Sequence, residues 1–313
     1  MEFVIILASL IGIILGADWL VDGSVAIARK YKVSDFVIGA AIVGIGTSMP
    51  ELTVSFAGAV HGNSDVAIGN VIGSNIFNVL GILGITALFF PIAIHKSNMK
   101  FEIPMCIAFS VIVTLLSFDF FSHMNSPKLG RLDGIFLLIG FFIFMWYSFK
   151  RDSSEDAATD TYHDEKPLAL WKSILLITIG LSVLILSCDY FVDNAIIIAR
   201  RWGMSDAVIS ITLIACGTSL PELAASVVAA CKKNTQLALG NIIGSNIFNI
   251  ALILGLSSQF SILASADITL VDYCVMILAA VLPMIWGIIG RISRFTGAIM
   301  LSLFIIYSVY LIN

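Results

Sequence analysis

Two nearly identical segments of the sequence place a proline and a carboxylate inside apolar runs. The first is Gly46-Thr-Ser-Met-Pro-Glu51 and the second is Gly217-Thr-Ser-Leu-Pro-Glu222. Threonine and serine precede each glutamate by four and three residues, so the three side chains can share one helix face. Each proline has no N–H for the carbonyl four residues earlier, so the helix must break or kink and free backbone carbonyls. Both segments therefore offer only oxygen ligands.

A second repeated segment adds further oxygen atoms. "GNVIGSNIFN" at 69–78 recurs as "GNIIGSNIFN" at 240–249, with nine of ten residues identical. In the first copy, Asn70, Ser74 and Asn78 follow at intervals of four and so lie along one helix face. Their counterparts are Asn241, Ser245 and Asn249. Glycines beside these residues form small-xxx-small stripes, which allow another helix to approach closely.

The composition indicates that these segments lie in a lipid bilayer. Hydrophobic residues make up 59% of the 313 residues and charged residues 12%, with a mean hydropathy of +1.01. Soluble domains carry roughly 25% charged residues. Crossing the hydrocarbon core takes roughly 17 to 25 apolar residues. We predict ten membrane spans, near 3–23, 36–60, 66–91, 102–118, 132–149, 170–191, 207–231, 236–260, 268–289 and 295–312.

The basic residues predict the orientation, because Lys and Arg near span ends are retained on the cytoplasmic side. With ten spans, one set of alternate connections holds thirteen of the 17 Lys and Arg residues, and the other set holds four. We therefore predict that both termini face outside and that the polar linker 151–167 is cytoplasmic. The predicted location is the plasma (inner) membrane, which the chain crosses many times.

The repeated motifs belong to a longer internal repeat. Glu222 follows Glu51 by 171 residues. The same offset relates further identical pairs, among them Asp18 and Asp189, Asp22 and Asp193, and Arg29 and Arg200. Since the offset contains five predicted spans, an odd number, corresponding spans cross the bilayer in opposite directions. Inverted repeats are typical of secondary transporters, whose site lies near the midplane where the halves meet.

We therefore predict an all-α integral membrane protein of ten transmembrane helices, arranged as two inverted five-helix repeats. Residues 1–150 form the first repeat, 151–167 the cytoplasmic linker and 168–313 the second repeat. The four paired aspartates lie nearer the span ends than the glutamates do. We interpret them as interfacial or helix-pairing residues, with direct ligation as the alternative.

The ligand types favour a hard cation. Two carboxylates with hydroxyl, amide and carbonyl oxygens suit calcium, sodium and magnesium better than zinc or copper. A carboxylate at bilayer depth costs about 2.5–3.5 kcal/mol and usually marks an ion path. A single Ser74 or Asn78 is as readily a structural contact between helices. Soft-metal sites and histidine proton relays are disfavoured because all four histidines lie in or beside connections: His61, His95, His123 and His163.

The doubled "GTS-x-PE" and "GN-x-x-GSN" motifs resemble the two alpha repeats of the cation/calcium exchanger superfamily. The first alpha motif covers residues 44–78 and the second covers 215–249. The compact ten-span length is similar to that of prokaryotic sodium/calcium exchangers. This resemblance implies a bundle in which spans two, three, seven and eight enclose the cations, while spans one and six slide to alternate access.

The resemblance also implies a ligand set. It places calcium on Glu51 and Glu222 with the backbone oxygens of Thr47 and Thr218. It places sodium on the same glutamates and on Ser48, Ser74, Ser219, Ser245 and the carbonyls of Gly44 and Ala215. The amide oxygens of Asn78 and Asn249 complete the predicted metal site.

One position departs from the pattern of many relatives. Potassium-dependent exchangers and some archaeal sodium/calcium exchangers carry an aspartate where this chain has Asn249, and both copies here have asparagine. The predicted site then holds only two carboxylates, which argues against potassium cotransport.

We predict a secondary antiporter that expels calcium in exchange for sodium by alternating access. Proton-coupled antiport of calcium or another divalent cation stays open, because two protons neutralise two carboxylates as one Ca²⁺ does. Three sodium ions would instead leave one positive charge over, so the two couplings differ in net charge moved.

Other function classes fit less well. An intramembrane enzyme is disfavoured by the lack of a His-Glu-x-x-His or Gly-x-Ser-x-Gly motif. Matched inverted halves with broken helices favour alternating access over a channel. The predicted partners are calcium, sodium and the lipid bilayer, with no resident cofactor and no nucleic acid, and we expect a single chain to function.

Overall fold

The computed structural model describes residues 2–118, 128–155, 168–202, 217–265 and 267–312, and it is predominantly helical. The helices that precede the linker are α1 Glu2–Tyr31, α2 Asp35–Ile38, α3 Ile45–Thr47, α4 Met49–Val60, α5 Ser64–Ile76, α6 Gly84–Phe89, α7 Lys96–Lys100, α8 Glu102–Ser117 and α9 Arg131–Glu155. Those after it are α10 Leu170–Arg201, α11 Leu220–Cys231, α12 Thr235–Ile247, α13 Gly255–Phe260, α14 Leu270–Gly287 and α15 Arg294–Ile312.

In the described part of the chain, three π-helical segments continue these helices through the bundle. They are π1 Gly39–Gly44, between α2 and α3; π2 Phe77–Leu83, between α5 and α6; and π3 Phe248–Leu254, between α12 and α13. Such wider turns inside α-helices are uncommon and occur often at functional sites. Here π1 and π2 overlap the first alpha motif, and π3 overlaps the last two residues of the second.

Short strands are an addition to the predicted all-α architecture. β1 Ile92–Ala93 pairs antiparallel with β4 Arg291–Ile292, with Ile92 opposite Ile292. β2 Lys128–Leu129 pairs antiparallel with β3 Leu263–Ala264, with Leu129 opposite Leu263. Each strand has two residues and connects helices, so the pairs fasten connections without forming a sheet core.

The apolar helices are numerous enough for a membrane protein. Within the described ranges, eight helices are long and apolar enough to cross a bilayer, and the bent unit Asp35–Thr47 with Met49–Val60 makes a ninth. The predicted span near 207–231 lies partly outside the described residues, and its described remainder is the shorter α11. The predominantly helical membrane fold is thus confirmed, with eight or nine spans rather than ten described.

Two continuous helical units form the centre of the bundle. In Ser64–Phe89 and Thr235–Phe260, 83% and 94% of the apolar stretch is buried, against 17–39% in the other spans. Close approach is possible because the second copy presents glycines: a Cβ on Gly244 would lie 2.6 Å from Ala40 Cβ, and one on Gly240 would lie 3.0 Å from Phe36 Cα. The predicted small-residue stripe of this copy is therefore a helix contact.

The long helices α1 and α10 pack together over most of their length. Gly12 faces Ser187, Gly16 faces Leu184, and Gly23 faces Ile177, so the residue numbers fall along α10 as they rise along α1. The two helices therefore run antiparallel. Glycine is required at the crossing, because a Cβ on Gly16 would lie 2.6 Å from Leu184 N and 2.8 Å from Gly180 O, both backbone atoms that cannot rotate away.

Gly16→Leu should therefore separate α1 from α10 and lower stability by several kcal/mol, roughly the magnitude of a severe packing defect. Thermal unfolding of the purified protein in detergent measures the effect. Ala8→Leu adds the same side chain on an exposed position of the same helix and should leave the midpoint nearly unchanged. Equal midpoints for the two variants would show that the crossing tolerates separation.

Candidate cation site

Both glutamates lie just after a helix start that is set by the neighbouring proline. Ser48 leaves the helical conformation with φ −83° and ψ 10°, and Pro50 occupies the first turn of α4. The chain bends by 50° between α3 and α4. Ser219 adopts nearly the same angles, φ −93° and ψ 9°, before α11. The predicted break at Pro50 is confirmed.

The central feature of the site is a crossed pair of hydrogen bonds. Ser219 Oγ donates to Glu51 Oε1 at 2.8 Å, and Ser48 Oγ donates to Glu222 Oε1 at 2.8 Å. Each glutamate is thus held by the serine of the other copy, and all four side chains are fully buried. The two motifs therefore form one site.

Further oxygens extend this site. The hydroxyl oxygens of Ser219 and Ser74 lie 3.3 Å apart, and Ser245 Oγ donates to the carbonyl of Gly44 at 3.2 Å. Gly44 ends π1, and Ser245 lies in α12. The structure therefore brings these sequence-predicted residues together, whereas Ala215 lies outside the described residues.

The glutamates keep oxygen atoms that no described residue satisfies. Glu51 Oε2 and Glu222 Oε2 are buried and without a hydrogen-bond partner among the described residues, as are Asn78 Oδ1 and Asn249 Oδ1. π2, which carries Asn78, packs on α11, and π3, which carries Asn249, packs on α4. Leaving a buried polar atom unpaired costs about 1–3 kcal/mol, and more for a charged group. Such oxygen atoms suit a desolvated cation.

Thr47 uses its hydroxyl inside the protein. Thr47 Oγ1 donates to Val43 O of the preceding π1 segment at 3.0 Å and lies 3.2 Å from Asn241 Oδ1. The side chain is therefore occupied, which leaves the backbone oxygen as the atom that this residue offers to an ion. Thr218, its counterpart, is partly exposed at the edge of a pocket.

Asn70 and Asn241 hold the backbone of the two glutamates in place. Asn70 Nδ2 donates to Glu51 O at 3.2 Å and to Ser55 Oγ at 2.9 Å. Asn241 Nδ2 makes the corresponding bonds, to Glu222 O at 3.2 Å and Ser226 Oγ at 2.8 Å. These amides fix the helix that carries each carboxylate. The motif asparagines at these positions are thus supports for the glutamate backbone.

Asn75 and Asn246 were not predicted, although they join the two copies directly. Asn75 Nδ2 donates to Asn246 O at 3.4 Å, and Asn246 Nδ2 donates to Asn75 O at 3.3 Å. Asn78 Nδ2 donates to Asn246 Oδ1 at 3.0 Å. The signal that could have found this pair is the offset of 171 residues, which relates Asn75 to Asn246 within the repeated "GSN".

Comparisons with known proteins agree with this architecture. The chain is 34% identical to the sodium/calcium exchanger MaX1 of Methanosarcina acetivorans, over 99% of this chain and 98% of the relative. It is 32% identical to the inner membrane protein YrbG of Escherichia coli, over 97% of this chain and 94% of the relative. The solved sodium-calcium exchanger NCX_Mj superposes with a TM-score of 0.84 at 34% identity, covering 97% of each chain.

The family model described as sodium/calcium exchanger protein matches residues 1–150 and 172–313, which is nearly the whole sequence. The chain belongs to the sodium/calcium exchanger family.

Proposed function

We propose that this chain is a secondary antiporter that expels Ca²⁺ in exchange for Na⁺ by alternating access. The observation that carries the proposal is the pair of fully buried glutamates, each bonded to a serine of the other copy and each with one oxygen left unbonded. Two carboxylates in a low-dielectric interior require compensating charge. A dehydrated Ca²⁺ supplies it, and Na⁺ ions supply it on the return step.

The proposed ligand set is the one that the family resemblance implies. Ca²⁺ is bound by Glu51 and Glu222 with the backbone oxygens of Thr47 and Thr218. Na⁺ uses the same glutamates together with Ser48, Ser74, Ser219, Ser245 and the carbonyls of Gly44 and Ala215. Asn78 and Asn249 contribute amide oxygens. An oxygen-only set of this kind suits both ions, because each is a hard cation.

Ten spans in two inverted repeats are proposed as the architecture behind alternating access. Residues 1–150 form one repeat, 151–167 the linker and 168–313 the other, with the seventh span near 207–231. The antiparallel packing of α1 against α10 supports this arrangement, as does the contact of Asn75 with Asn246 across the repeat offset. The distribution of basic residues supports an orientation with both termini outside and the linker in the cytoplasm of a plasma membrane, and a single chain is proposed as the functional unit.

Glu51→Gln and Glu222→Gln should each abolish Ca²⁺ transport while the protein still folds and inserts, because glutamine keeps the size of the side chain and removes its charge. Asp267→Asn, at an exposed carboxylate, is the matched control. Radioactive calcium uptake into everted vesicles measures transport, and thermal unfolding in detergent measures folding. Full transport in either glutamine variant would remove that residue from the site.

Ser74→Ala and Ser245→Ala should lower transport less than the glutamine variants, since a hydroxyl ligand carries no charge. We expect the half-saturating Na⁺ concentration to rise by about tenfold or less, the equivalent of roughly one hydrogen bond. A complete loss of transport with normal folding would instead assign these serines a role as large as that of the glutamates.

Sodium coupling is tested with everted vesicles loaded with Na⁺ and diluted into Na⁺-free medium that contains calcium. Uptake should depend on the imposed Na⁺ gradient, persist with a protonophore and be unchanged when K⁺ is replaced by choline. Uptake that ignores Na⁺ and collapses with the protonophore would point to proton coupling. A requirement for K⁺ would contradict the interpretation of Asn78 and Asn249.

A further inference from the structure

One lysine fastens α1 to α11 at the edge of the bundle. Lys232 follows the last residue of α11, and its Nζ lies 2.7 Å from Asp18 Oδ1 and 2.5 Å from Asp22 Oδ1. The same Nζ donates to the carbonyl of Asp18 at 3.3 Å. We refer to these three residues as the Lys232 bridge. It joins α1, the span that the family resemblance assigns to the sliding part, to the helix that carries Glu222.

The corresponding residues of the other half do not form this bridge. The offset of 171 residues relates Asp18 and Asp22 to Asp189 and Asp193 on α10, and it relates Lys232 to His61 at the end of α4. Among the described residues, no ion pair joins His61 to either aspartate, and His61 Nδ1 lies 2.8 Å from Ala57 O of its own helix. The two halves therefore differ at equivalent positions.

A pocket of about 600 Å³ lies where the second bridge would form. Asp189 and Asp193 line it together with Pro50, Thr53 and Thr218. It thus extends from an acidic rim to the residues beside the glutamates. On the opposite side, Pro221 and Thr47, the counterparts of Pro50 and Thr218, are buried.

The two acid pairs lie toward opposite ends of the α1–α10 pair, because these helices pack antiparallel. Among the described residues, those beside the glutamates are buried on the side with the Lys232 bridge and line the pocket on the side without one. We propose that Lys232 is a positioning residue for transport: its bridge stabilises the arrangement in which the site opens toward Asp189 and Asp193. This inference rests on the proposed alternating access.

In the opposite arrangement the Lys232 bridge is broken, and His61 takes the equivalent place near Asp189 and Asp193. The shorter imidazole does not reproduce the reach of Lys232, which contacts two carboxylates and a carbonyl. The two arrangements are therefore stabilised unequally by side chains outside the ion site. Because the Lys232 bridge is partly exposed, it stabilises its arrangement only modestly. Loss of the bridge should change the population ratio of the two arrangements by about two- to fivefold.

The first test measures the accessibility of each side of the site by cysteine labelling and does not require transport. Thr53 lines the open pocket, and Ala224 is its counterpart on the closed side. Each is replaced by cysteine in turn, in a background whose five native cysteines are alanine. In detergent, the ratio of maleimide labelling rates at position 53 over position 224 should fall about two- to fivefold with Lys232→Gln. Asp22→Asn should lower it in the same direction.

The adjacent lysine provides the matched control. Lys233→Gln should leave the ratio unchanged, since no described residue forms an ion pair with Lys233. Exchanging the charges, with Lys232→Asp and Asp22→Lys in one chain, should move the ratio back toward the original value relative to Lys232→Asp alone. An unchanged ratio in both Lys232→Gln and Asp22→Asn, or no recovery on charge exchange, overturns the proposal.

A transport assay then distinguishes this inference from the proposed function. In everted and right-side-out vesicles, Lys232→Gln should change the ratio of the half-saturating Ca²⁺ concentrations on the two faces by about two- to fivefold. Normal Na⁺-driven uptake with unchanged ratios would contradict the Lys232 bridge alone. Absence of uptake in the unmodified protein would contradict the proposed function, whereas the labelling ratio would still report on the bridge.

Discussion

The surrounding structure depends on one constraint, which is that two carboxylates are buried without a basic partner among the described residues. Glu51 and Glu222 are fully buried, and each receives a single hydroxyl bond on one oxygen. A hydroxyl partly offsets the loss of water, but it supplies no opposite charge. The two side chains are therefore in an unfavourable electrostatic arrangement, which a bound cation relieves in the proposed function. The proposed antiport mechanism follows from this arrangement, because the site is unfavourable when it holds no positive charge.

The rigidity needed for this arrangement comes from amide contacts around the glutamates. Asn70 and Asn241 bind the backbone carbonyls of Glu51 and Glu222, while Asn75 and Asn246 bind each other. Amide hydrogen bonds inside the bundle are expensive to break, since breaking them leaves polar groups unpaired. The centre of the bundle is therefore built to stay fixed. In the proposed alternating access, movement is assigned to helices packed outside it, above all α1 and α10, which meet at close glycine contacts.

Sequence patterns predicted the helical membrane fold, the break at Pro50 and the grouping of the two motifs, because each depends on local composition or on the repeat. The partners of the side chains were harder to predict. Thr47, Ser48 and Glu51 are spaced for one helix face, yet Ser48 reaches Glu222 and Thr47 turns back to Val43. The bend at Ser48 separates these directions, and its angle depends on packing against the other copy. The π segments likewise arise from packing and have no signature in the spacing.

Symmetry in the site and asymmetry at its edges have different physical origins. The residues around the glutamates repeat almost identically, and in the proposed function this repetition lets one ion be held equally well from either side. The edges are free of that requirement: Lys232 occupies the position of His61 in the other half, and within the described residues only the Asp18–Asp22 pair is bridged. An exchanger with identical edges would have no intrinsic preference for either arrangement. If the Lys232 bridge acts as proposed, a single residue at the rim sets which side is open at rest, without altering the proposed ion ligands.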